Sequence, residues 1–307
     1  MEPDYRQLMY LLAIAECGNF SRAAEKLRMS QPALSNSIAA LELRLDAKLL
    51  NRGRFGAALT DAGHVLVRHA RILQTQMGRA TEEIGLVRQA SFGPLAIGVT
   101  PVAAANMVPR ALALIRREMP SLAIRVHETV FRDGMDGLLN GSLDLMVGPI
   151  GVYPPVDGIE EQRLTVDPFT IVVRKGHALS KHRSISLRQM TDVEWVLPSD
   201  HSAFHKQLES LFVVSGLGWP KNAITTNSMM AMKSIAMYSD CVALMPKQLV
   251  ELERKTGMLV TIRLVEGDMA RALGVSWARR PEERSPAEAF VRVLRDCARA
   301  NGAAHRR

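Results

Sequence analysis

The sequence has little cysteine and begins without an apolar leader. Its 307 residues include three cysteines, Cys17, Cys241 and Cys297. Because this number is odd and the three lie far apart, they argue against a disulfide framework and indicate a reducing compartment. The first residues are polar and acidic, without the basic flank and apolar run of a secretory signal. We therefore expect a cytoplasmic protein.

No long uncharged apolar segment interrupts the chain. The nearest candidate runs from residue 96 to residue 115 and carries a single charge, Arg110. It contains Pro101 and Pro109, which favour a buried strand, a turn and a helix over one continuous membrane helix. We expect no membrane partner.

Motifs of enzymes and cofactor sites are missing. There is no Gly-x-Ser-x-Gly elbow, no Walker loop and no dinucleotide-binding glycine motif after a strand. Ser199, Asp200 and His201 are adjacent, so they cannot align as nucleophile, base and orienting acid. His201 and His205 have the spacing of a helical metal pair, but no glutamate or third ligand accompanies them in a known motif. We predict no enzymatic activity, no metal and no cofactor.

The composition is that of a globular protein with a basic surface. Hydrophobic residues make up 47% and charged residues 23%, and the length allows about two domains. The formal net charge is +8 and the pI is near 9.7. A basic protein attracts polyanions, so nucleic acid is a candidate partner.

Residues 20–42 predict two short helices joined by a tight turn. Ser21 is expected to cap the first helix, and Ser30 the second, with Pro32 in the first turn, where a missing N–H costs little. The buried stripe of the second helix is Leu34, Ile38, Leu41 and Leu45. Its polar, exposed face is Gln31, Ser35, Asn36 and Arg44. This pattern is typical of a helix-turn-helix.

The polar face of the second helix fits base recognition. Gln31 and Asn36 can each bind adenine through paired hydrogen bonds, and Ser35 can contact several bases or a phosphate. The alternative is an amphipathic helical hairpin whose polar residues are simply solvated.

The same residues resemble the LysR-type transcriptional regulators. The matching motifs are Ala23-Ala24-x-x-Leu27, the string Ser30–Ser35, Ile38, Leu41-Glu42, Leu49–Arg52 and Leu59–Gly63. The resemblance covers nearly the whole chain. It implies an all-α winged helix-turn-helix over residues 1–60, a dimerising linker helix over 61–90 and an effector-binding domain over 91–307. That domain is expected to be an α/β, two-lobed, periplasmic-binding-protein-like (type 2) fold.

The wing is expected between Arg52 and Leu59, with Arg54 at its tip and Gly53 and Gly56 allowing a tight loop. Arg52 and Arg54 are candidates for phosphate or minor-groove contacts, or are solvated loop charges. The predicted DNA contacts are Ser21, Arg22, Ser30, Gln31, Pro32, Ser35, Asn36, Arg44, Arg52 and Arg54. Arg22, Lys26 and Lys48 are weaker phosphate candidates than the wing arginines.

Three positions depart from the family pattern. The family often has a basic residue where this chain has Asn36, a phenylalanine at Leu50 and an acidic residue at Asn51. The operator sequences of relatives therefore do not transfer to this chain.

The linker helix has a heptad-like stripe. Thr60 is a good N-cap, and Asp61 places a negative charge in the first turn. The stripe consists of Ala62, Leu66, His69, Leu73, Met77, Ala80, Ile84 and Val87. Such a long helix needs a partner to bury this stripe, which predicts a dimer. The alternative is a surface helix packed on its own domain.

From residue 93 onward, short β-rich runs alternate with helical patterns, which predicts mostly parallel sheets covered by helices. The resemblance implies a first lobe of about 91–165 and 268–307, and a second lobe of about 166–267. Ligands of such sheets bind at the carboxyl ends of strands. The candidate contacts are Thr100, Pro101, Val102, Gly148, Pro149, Ser199, Asp200, His201, Ser202 and Asn227.

Thr100 has two readings, because ligand binding and helix capping both use its hydroxyl. Val102 and Pro149 stand where some relatives carry hydroxyls, which suggests a less polar ligand. The resemblance points to a sugar or an aromatic acid.

Together these patterns predict a transcriptional regulator that binds promoter DNA as a homodimer or homotetramer, responds to a small-molecule effector and contacts RNA polymerase. A cysteine-based redox sensor stays open as a second class. A solute-binding protein would need an export signal and would lack the helix-turn-helix.

Overall fold

A computed structural model describes residues 3–53, 56–88, 94–152, 154–199, 203–266, 270–278 and 286–304. The chain divides into two compact units, one of residues 1–93 with 139–142 and one of residues 94–138 with 143–307. Among the described residues, no helix has the length and apolar character needed to cross a membrane.

The first unit consists of short helices, a hairpin and one long helix. In chain order these are α1 (Tyr5–Cys17), α2 (Phe20–Leu27), α3 (Gln31–Leu45), β1 (Leu50–Gly53), β2 (Gly56–Leu59) and α4 (Asp61–Arg88). Apolar side chains of α1, α2 and α3 form one core, which Leu49, Val67 and Ala70 extend. The predicted helix-turn-helix is confirmed, and so is the hairpin that follows it.

Capping residues set the boundaries of α2 and α3. The Ser30 hydroxyl accepts the Ala33 N–H at 3.4 Å and Pro32 lies in the first turn of α3, as predicted. The prediction that Ser21 caps α2 is wrong. The Asn19 side chain accepts the Arg22 N–H at 2.9 Å, so the helix begins at Phe20 and Ser21 lies inside its first turn. Asparagine is as good an N-cap as serine, and here it comes first in the chain.

Helix α4 packs on its own unit through a different stripe from the predicted seam. Thr60 caps it by accepting the Gly63 N–H at 3.0 Å. Val67 and Ala70 are buried in the core of the first unit. Leu73 and Met77, on the predicted seam, are 44% and 56% exposed. Within the part of the chain that the structure describes, the helix therefore has one face packed in the core of its own unit and a second apolar face that is largely exposed.

The second unit is an α/β structure. Its strands are β3 (Leu95–Val99), β4 (Ile124–Glu128), β5 (Leu145–Pro149), β6 (Ile159–Arg174), β7 (Ser184–Ile185), β8 (Val196–Pro198), β9 (Ile224–Thr226), β10 (Ala243–Pro246), β11 (Leu259–Leu264) and β12 (Ala270–Ala278). Its helices are α5 (Pro101–Ala105), α6 (Met107–Glu118), α7 (Phe131–Asn140), α8 (Ala203–Val214), α9 (Met229–Tyr238), α10 (Glu251–Lys255) and α11 (Pro286–Ala304). Short 3-10 helices are η1 (Ala178–Lys181), η2 (Leu187–Gln189) and η3 (Lys247–Val250).

The main sheet is mixed, which corrects the prediction of mostly parallel sheets. Its strand order is β4-β3-β5-β12-β6-β11-β7, with β10 also paired to β6. The pairs β3–β4 and β3–β5 are parallel, whereas β12 is antiparallel to both β5 and β6. Strand β12 thus runs opposite to both of its neighbours in the sheet, β5 and β6.

Two separate cores lie on the two ends of β6. The first core includes Ile97, Val147, Val275 and Phe290. The second includes Phe169 and Ile171 of β6 itself, with Val196 and Leu244. Strand β6 pairs with β12 over residues 159–168 and with β10 and β11 over residues 169–174. One continuous strand thus joins the two lobes, and the predicted two-lobed effector fold is confirmed.

Two elements differ from their predicted extents. The helix expected after Thr100 is split at Asn106, whose backbone angles of φ −144° and ψ −61° separate α5 from α6. Strand β6 has 16 residues, whereas only its second half was predicted. The first half of β6 contains the polar residues Glu160, Gln162 and Arg163. It is therefore not a continuous apolar run, and the pattern of apolar residues does not identify it as a strand.

Candidate nucleic-acid interface and ligand site

Helix α3 is anchored by one face and exposes the other. Leu34, Ile38 and Leu41 are completely buried, while Leu45 is partly buried. Gln31 and Asn36 on the opposite face are exposed, and Ser35 between them is partly buried. A helix fixed in this way presents its polar face as a rigid surface, as base recognition in a major groove requires.

The turn between α2 and α3 is closed by a non-glycine residue in the left-handed region. Arg28 has φ 54°, and its N–H bonds back to the carbonyls of Ala24 and Glu25. The Met29 N–H also donates to Ala24, at 3.0 Å. These bonds satisfy the last carbonyls of α2 and set the direction in which α3 departs.

The wing, defined as β1, β2 and the two residues between them, is fastened to the end of α1. The Ala57 N–H donates to the Gly18 carbonyl at 2.9 Å. A Cβ at Gly56 would lie 2.4 Å from that same carbonyl oxygen, and Gly56 has φ 128°. Only glycine fits there, so the predicted tight glycine loop is confirmed at this position.

Glu42 connects α3 to the wing. Its side chain is 5% exposed, and its Oε1 accepts the N–H groups of Leu49 at 2.8 Å and Leu50 at 3.2 Å. Lys48 donates to the other carboxylate oxygen at 3.4 Å. Burial alone would raise the pKa of Glu42, but these donors and the Lys48 charge outweigh it and lower the pKa. The chain from α3 to β1 is thus held by a buried carboxylate that the sequence patterns did not single out.

Basic residues near this surface divide into two groups. Arg22 and Arg44 are exposed. Lys26 is ion-paired with Glu16 at 2.7 Å, and Lys48 with Glu42 at 3.4 Å, so these two of the three weaker phosphate candidates have acidic neighbours. Arg52 lies on β1, and Arg54 falls outside the described residues.

At the end of β3, Thr100 precedes α5 but does not cap it with its side chain. Its hydroxyl forms no capping hydrogen bond, and its Oγ1 is buried without a hydrogen-bond partner. The backbone N–H of Thr100 donates to Val147 at 3.0 Å, which ties the end of β3 to β5. Of the two predicted uses of this hydroxyl, helix capping is wrong, and the oxygen is a buried polar atom without a partner.

Gly148 and Pro149 lie at the neighbouring strand end. A Cβ at Gly148 would lie 2.7 Å from Thr100 Cγ2 and 2.9 Å from Thr100 Oγ1, so the missing side chain makes room for Thr100. Pro101 occupies the first turn of α5. Val102 is 7% exposed and packs in the first core, so its side chain anchors α5.

In the second lobe, Ser199 and Asn227 follow adjacent parallel strands. Strands β8 and β9 pair Pro198 with Thr226, and the Ser199 N–H donates to the Thr226 carbonyl at 3.0 Å. Asn227 is exposed directly after β9. The other three candidates of this loop, Asp200, His201 and Ser202, lie outside the described residues.

The 3-10 helix η3 contributes residues to this region that were not among the predicted ligand contacts. It follows β10, which runs parallel to β8 through the Trp195–Val242 bridge, and it packs against α5 of the other lobe. The Gln248 Oε1 of η3 is buried without a hydrogen-bond partner. The sequence holds a signal for this position, because η3 follows the carboxyl end of β10 and the rule that selected Ser199 applies there equally.

The buried Asp167 and its partly buried partner Arg271 were also missed. These residues are direct partners across β6 and β12. The Arg271 guanidinium lies 5.2 Å from the ring centroids of both Phe169 and Phe204, and its Nε donates to Gln207 Oε1 at 2.6 Å. A single charged residue among apolar neighbours forms no recognisable sequence motif. That Asp167 and Arg271 are neighbours is evident only from the register of β6 and β12.

The cysteines show no feature of a reactive thiol in the described part of the chain. Cys241 is 2% exposed and Cys297 is 8% exposed, and all three cysteines are free. Burial raises the pKa of the Cys297 thiol, which reduces its thiolate fraction at neutral pH.

His205 forms a hydrogen bond through Nδ1 to the Pro198 carbonyl at 3.2 Å, and the centroid of its ring lies 4.5 Å from that of Trp219.

Two family descriptions match the chain. "Bacterial regulatory helix-turn-helix protein, lysR family" matches residues 5–64, and "LysR substrate binding domain" matches residues 88–299. The first match covers α1 to the start of α4, and the second covers most of the two-lobed unit.

Individual relatives agree with this assignment. The chain is 33% identical over 210 residues to the nitrogen assimilation regulatory protein nac of Escherichia coli (strain K12), covering 68% of this chain and 67% of that protein. It is 28% identical over 300 residues, 96% of each chain, to a probable hydrogen peroxide-inducible genes activator of Streptomyces viridosporus.

Solved structures share the fold over the whole length. Full-length CbnR complexed with its target DNA superposes with a TM-score of 0.68 at 23% identity, covering 96% of this chain and 100% of CbnR. Full-length BenM gives a TM-score of 0.56 at 22% identity over 99% of this chain and 98% of BenM. The helix-turn-helix, the long helix and the two-lobed unit thus occur in one order in all three chains. With the two family matches, they show that this chain belongs to the LysR family of bacterial transcriptional regulators.

Proposed function

We propose that this regulator reads promoter DNA with the exposed face of α3 and responds to a small molecule bound where α5, η3 and the ends of β8 and β9 converge. The observation that carries the first part is the anchoring of α3, whose stripe of Leu34, Ile38 and Leu41 is completely buried. Gln31 and Asn36 are the base-reading candidates, with Ser35 beside them.

Backbone contacts are assigned to basic and capping groups around this face. Arg22 of α2 and Arg44 of α3 are exposed and are suited to phosphate. Ser30 and Pro32 stay candidate contacts at the start of α3, where Pro32 has no N–H and the Ala33 N–H donates to Ser30, so the Gln31 N–H is the first-turn donor assigned to phosphate. Ser21, in the first turn of α2, is exposed beside Arg22. Arg52 and Arg54 of the wing are assigned to phosphate or the minor groove. The CbnR structure complexed with its target DNA supports this use of the fold.

A footprint tests the DNA assignment. The upstream region of this protein's own gene is probed with the wild-type chain and with Gln31→Ala/Ser35→Ala. We expect two spaced half-sites, protected by the wild type and lost in the variant. The control is Glu25→Ala, an exposed residue of α2 outside the assigned face. Equal, salt-sensitive binding by all three proteins would show phosphate attraction without base recognition and would overturn the assignment.

The ligand assignment rests on buried polar atoms without partners. Thr100 Oγ1 and Gln248 Oε1 both lie at the junction of α5 and η3, and buried polar groups in proteins are ordinarily hydrogen-bonded. A ligand hydroxyl, such as that of a sugar, could donate to Gln248 Oε1, and a hydroxyl or the carboxylate of an aromatic acid could accept from the Thr100 hydroxyl. Ser199 and Asn227 would complete the site from the second lobe, and Asp200, His201 and Ser202, which lie outside the described residues, stay candidates on the sequence alone.

Assembly follows from the uncovered face of α4. We assign a dimer to the stripe that includes Leu73, Met77 and Ile84, all of which are more than two-fifths exposed. Pairing of effector domains would extend the dimer to a tetramer, as in the family resemblance. The assembly would act on promoter DNA in the cytoplasm, with contact to RNA polymerase as its output.

A further inference from the structure

Asp167 lies where β6 passes from one lobe to the other. Its Cα partner on β12 is Arg271, and two residues later Phe169 pairs with Pro246 of β10. The Asp167 side chain is 1% exposed. A carboxyl group is thus buried where β6 passes between the two cores. Neither the helix-turn-helix motif nor the strand-end positions considered for ligand binding account for a carboxyl group there.

The carboxyl group binds the backbone of the 3-10 helix η3. Its Oδ1 accepts the Gln248 N–H at 3.1 Å, and its Oδ2 is buried without a hydrogen-bond partner. Gln248 belongs to η3, and η3 packs against α5, which begins directly after Thr100. Asp167 therefore connects the crossover strand to the contact between η3 and α5.

Charged groups face Asp167 from three neighbouring elements. Lys247 lies on η3, Arg271 on β12 and Glu251 on α10. Burial raises the pKa of Asp167 to about 7, because the loss of water outweighs the Gln248 N–H and the two cations, and Glu251 adds to the rise. The carboxyl therefore changes charge close to neutral pH.

We propose that Asp167 is a positioning residue of the effector domain, and that the gain or loss of its proton changes how firmly η3 is held against α5. The neutral carboxyl tolerates burial better than the ionised form does, and its Oδ1 can still accept the Gln248 N–H. The ionised carboxylate favours states in which water reaches it, so it weakens the packing of β6, η3 and α5. The proposal rests on the proposed function in one respect: it takes the contact between η3 and α5 to be part of the effector site.

The sign of the pH effect follows from linkage. Because the folded pKa lies above the ordinary value of 3.8, the packed arrangement gains stability from the proton at low pH. That gain is lost as the pH rises through about 7. An asparagine at this position stays neutral and can still accept the Gln248 N–H, so it should keep the packed arrangement at every pH.

Hydrogen exchange of the full chain without effector or DNA tests the proposal. Protection of the peptide covering residues 246–251 is measured from about one unit below to one unit above the Asp167 pKa of about 7, after correction for intrinsic exchange rates. In the wild type we expect protection to fall with rising pH, by at most about tenfold per unit, the limit for one proton. Asp167→Asn should remove this fall, while the exposed-site control Asp192→Asn should retain it.

Two results would overturn the proposal. One is a flat profile in the wild type, which needs no variant to be interpreted. The other is a fall of equal size in Asp167→Asn. Because neither measurement involves a ligand, failure of the ligand assignment would leave both readouts intact, and that assignment is tested separately by titrating candidate sugars and aromatic acids into wild type and Thr100→Val.

Discussion

The Glu42 carboxylate of α3 accepts the backbone N–H of Leu49 at 2.8 Å, seven residues further along the chain. The same oxygen accepts the Leu50 N–H, so the recognition helix and the first wing strand share one buried acceptor. Two parts of the DNA-binding unit that contact different features of a duplex are therefore oriented together.

Replacing Glu42 should separate these two parts. We expect Glu42→Ala to lower the free energy of unfolding by about 2 kcal/mol, because buried N–H groups lose their acceptor. Since its pKa is lowered in the folded state, the contribution of Glu42 is present above the ordinary value of 4.5 and is lost as the pH falls below it. Chemical denaturation at neutral and acidic pH measures both effects.

The control for Glu42→Ala is Glu25→Ala, which removes an exposed glutamate of α2. In a footprint, we expect Glu42→Ala to weaken wing protection more than protection by α3. Uniform weakening across the site would show that the carboxylate supports the whole unit without a specific role at the wing.

Asp46 is a site where glycine should stabilise the protein. It ends α3 in the left-handed region with φ 48°, and it is exposed. Glycine adopts this conformation without a steric penalty, so Asp46→Gly should raise stability by about 0.5–1 kcal/mol. Asp46→Ala, which keeps the Cβ, serves as the matched control in thermal unfolding. A lower Tm for the glycine variant than for the alanine variant would contradict this account of the cap.

Thr100 should be dispensable for folding and necessary for ligand response. Valine has the same shape and removes a buried hydroxyl that has no partner, so Thr100→Val should change stability by less than about 1 kcal/mol. Calorimetric titration of candidate effectors should show at least about a fivefold loss of affinity, the scale of one hydrogen bond. Unchanged affinity for an effector that the wild type binds would remove Thr100 from the site.

Gly148 should not tolerate a side chain. Its Cβ would contact Thr100 Cγ2 at 2.7 Å, so Gly148→Ala should cost about 1–3 kcal/mol through overpacking. Gly218, around which a Cβ meets nothing within 4 Å, provides the control Gly218→Ala. The double variant Gly148→Ala/Thr100→Ala should recover part of the loss in a denaturation-based mutant cycle. Strict additivity of the two substitutions would show that the two side chains do not compete for space.

The uncovered face of α4 predicts the assembly state. Leu73→Lys/Met77→Lys places two charges on the stripe and should shift the dimer towards monomer in analytical ultracentrifugation. The control Gln74→Lys/Gln76→Lys adds the same charges at exposed positions off the stripe. Equal sedimentation of both variants would mean that this stripe does not form the interface.

Local patterns predicted the DNA-binding unit closely, because its helices have strong caps and regular stripes. Ser30, Pro32 and Thr60 act at their predicted positions. The exception, Ser21, arose where Asn19 supplies an equally good cap earlier in the chain. Which of two nearby residues caps a helix depends on the residue at which the helix begins. The periodicity of apolar residues does not by itself locate that first residue.

The effector unit was less predictable, because its organisation depends on pairing between distant strands. The first half of β6 and its antiparallel pairing with β12 join residues more than one hundred positions apart. The roles of Asp167 and Gln248 follow from that pairing and leave no signature in their own neighbourhoods. Thr100 could be found from sequence, because it ends a strongly apolar strand and precedes a proline.

Strand β6 also has a consequence for engineering a fluorescent reporter from this regulator. Because one uninterrupted strand serves both cores, a reporter domain inserted within it would break the hydrogen bonds of both lobes at once. The exposed turn at Asp157 and Gly158, directly before β6, offers an insertion point that leaves the strand whole. A fluorophore there would lie directly before the strand that contributes to both cores.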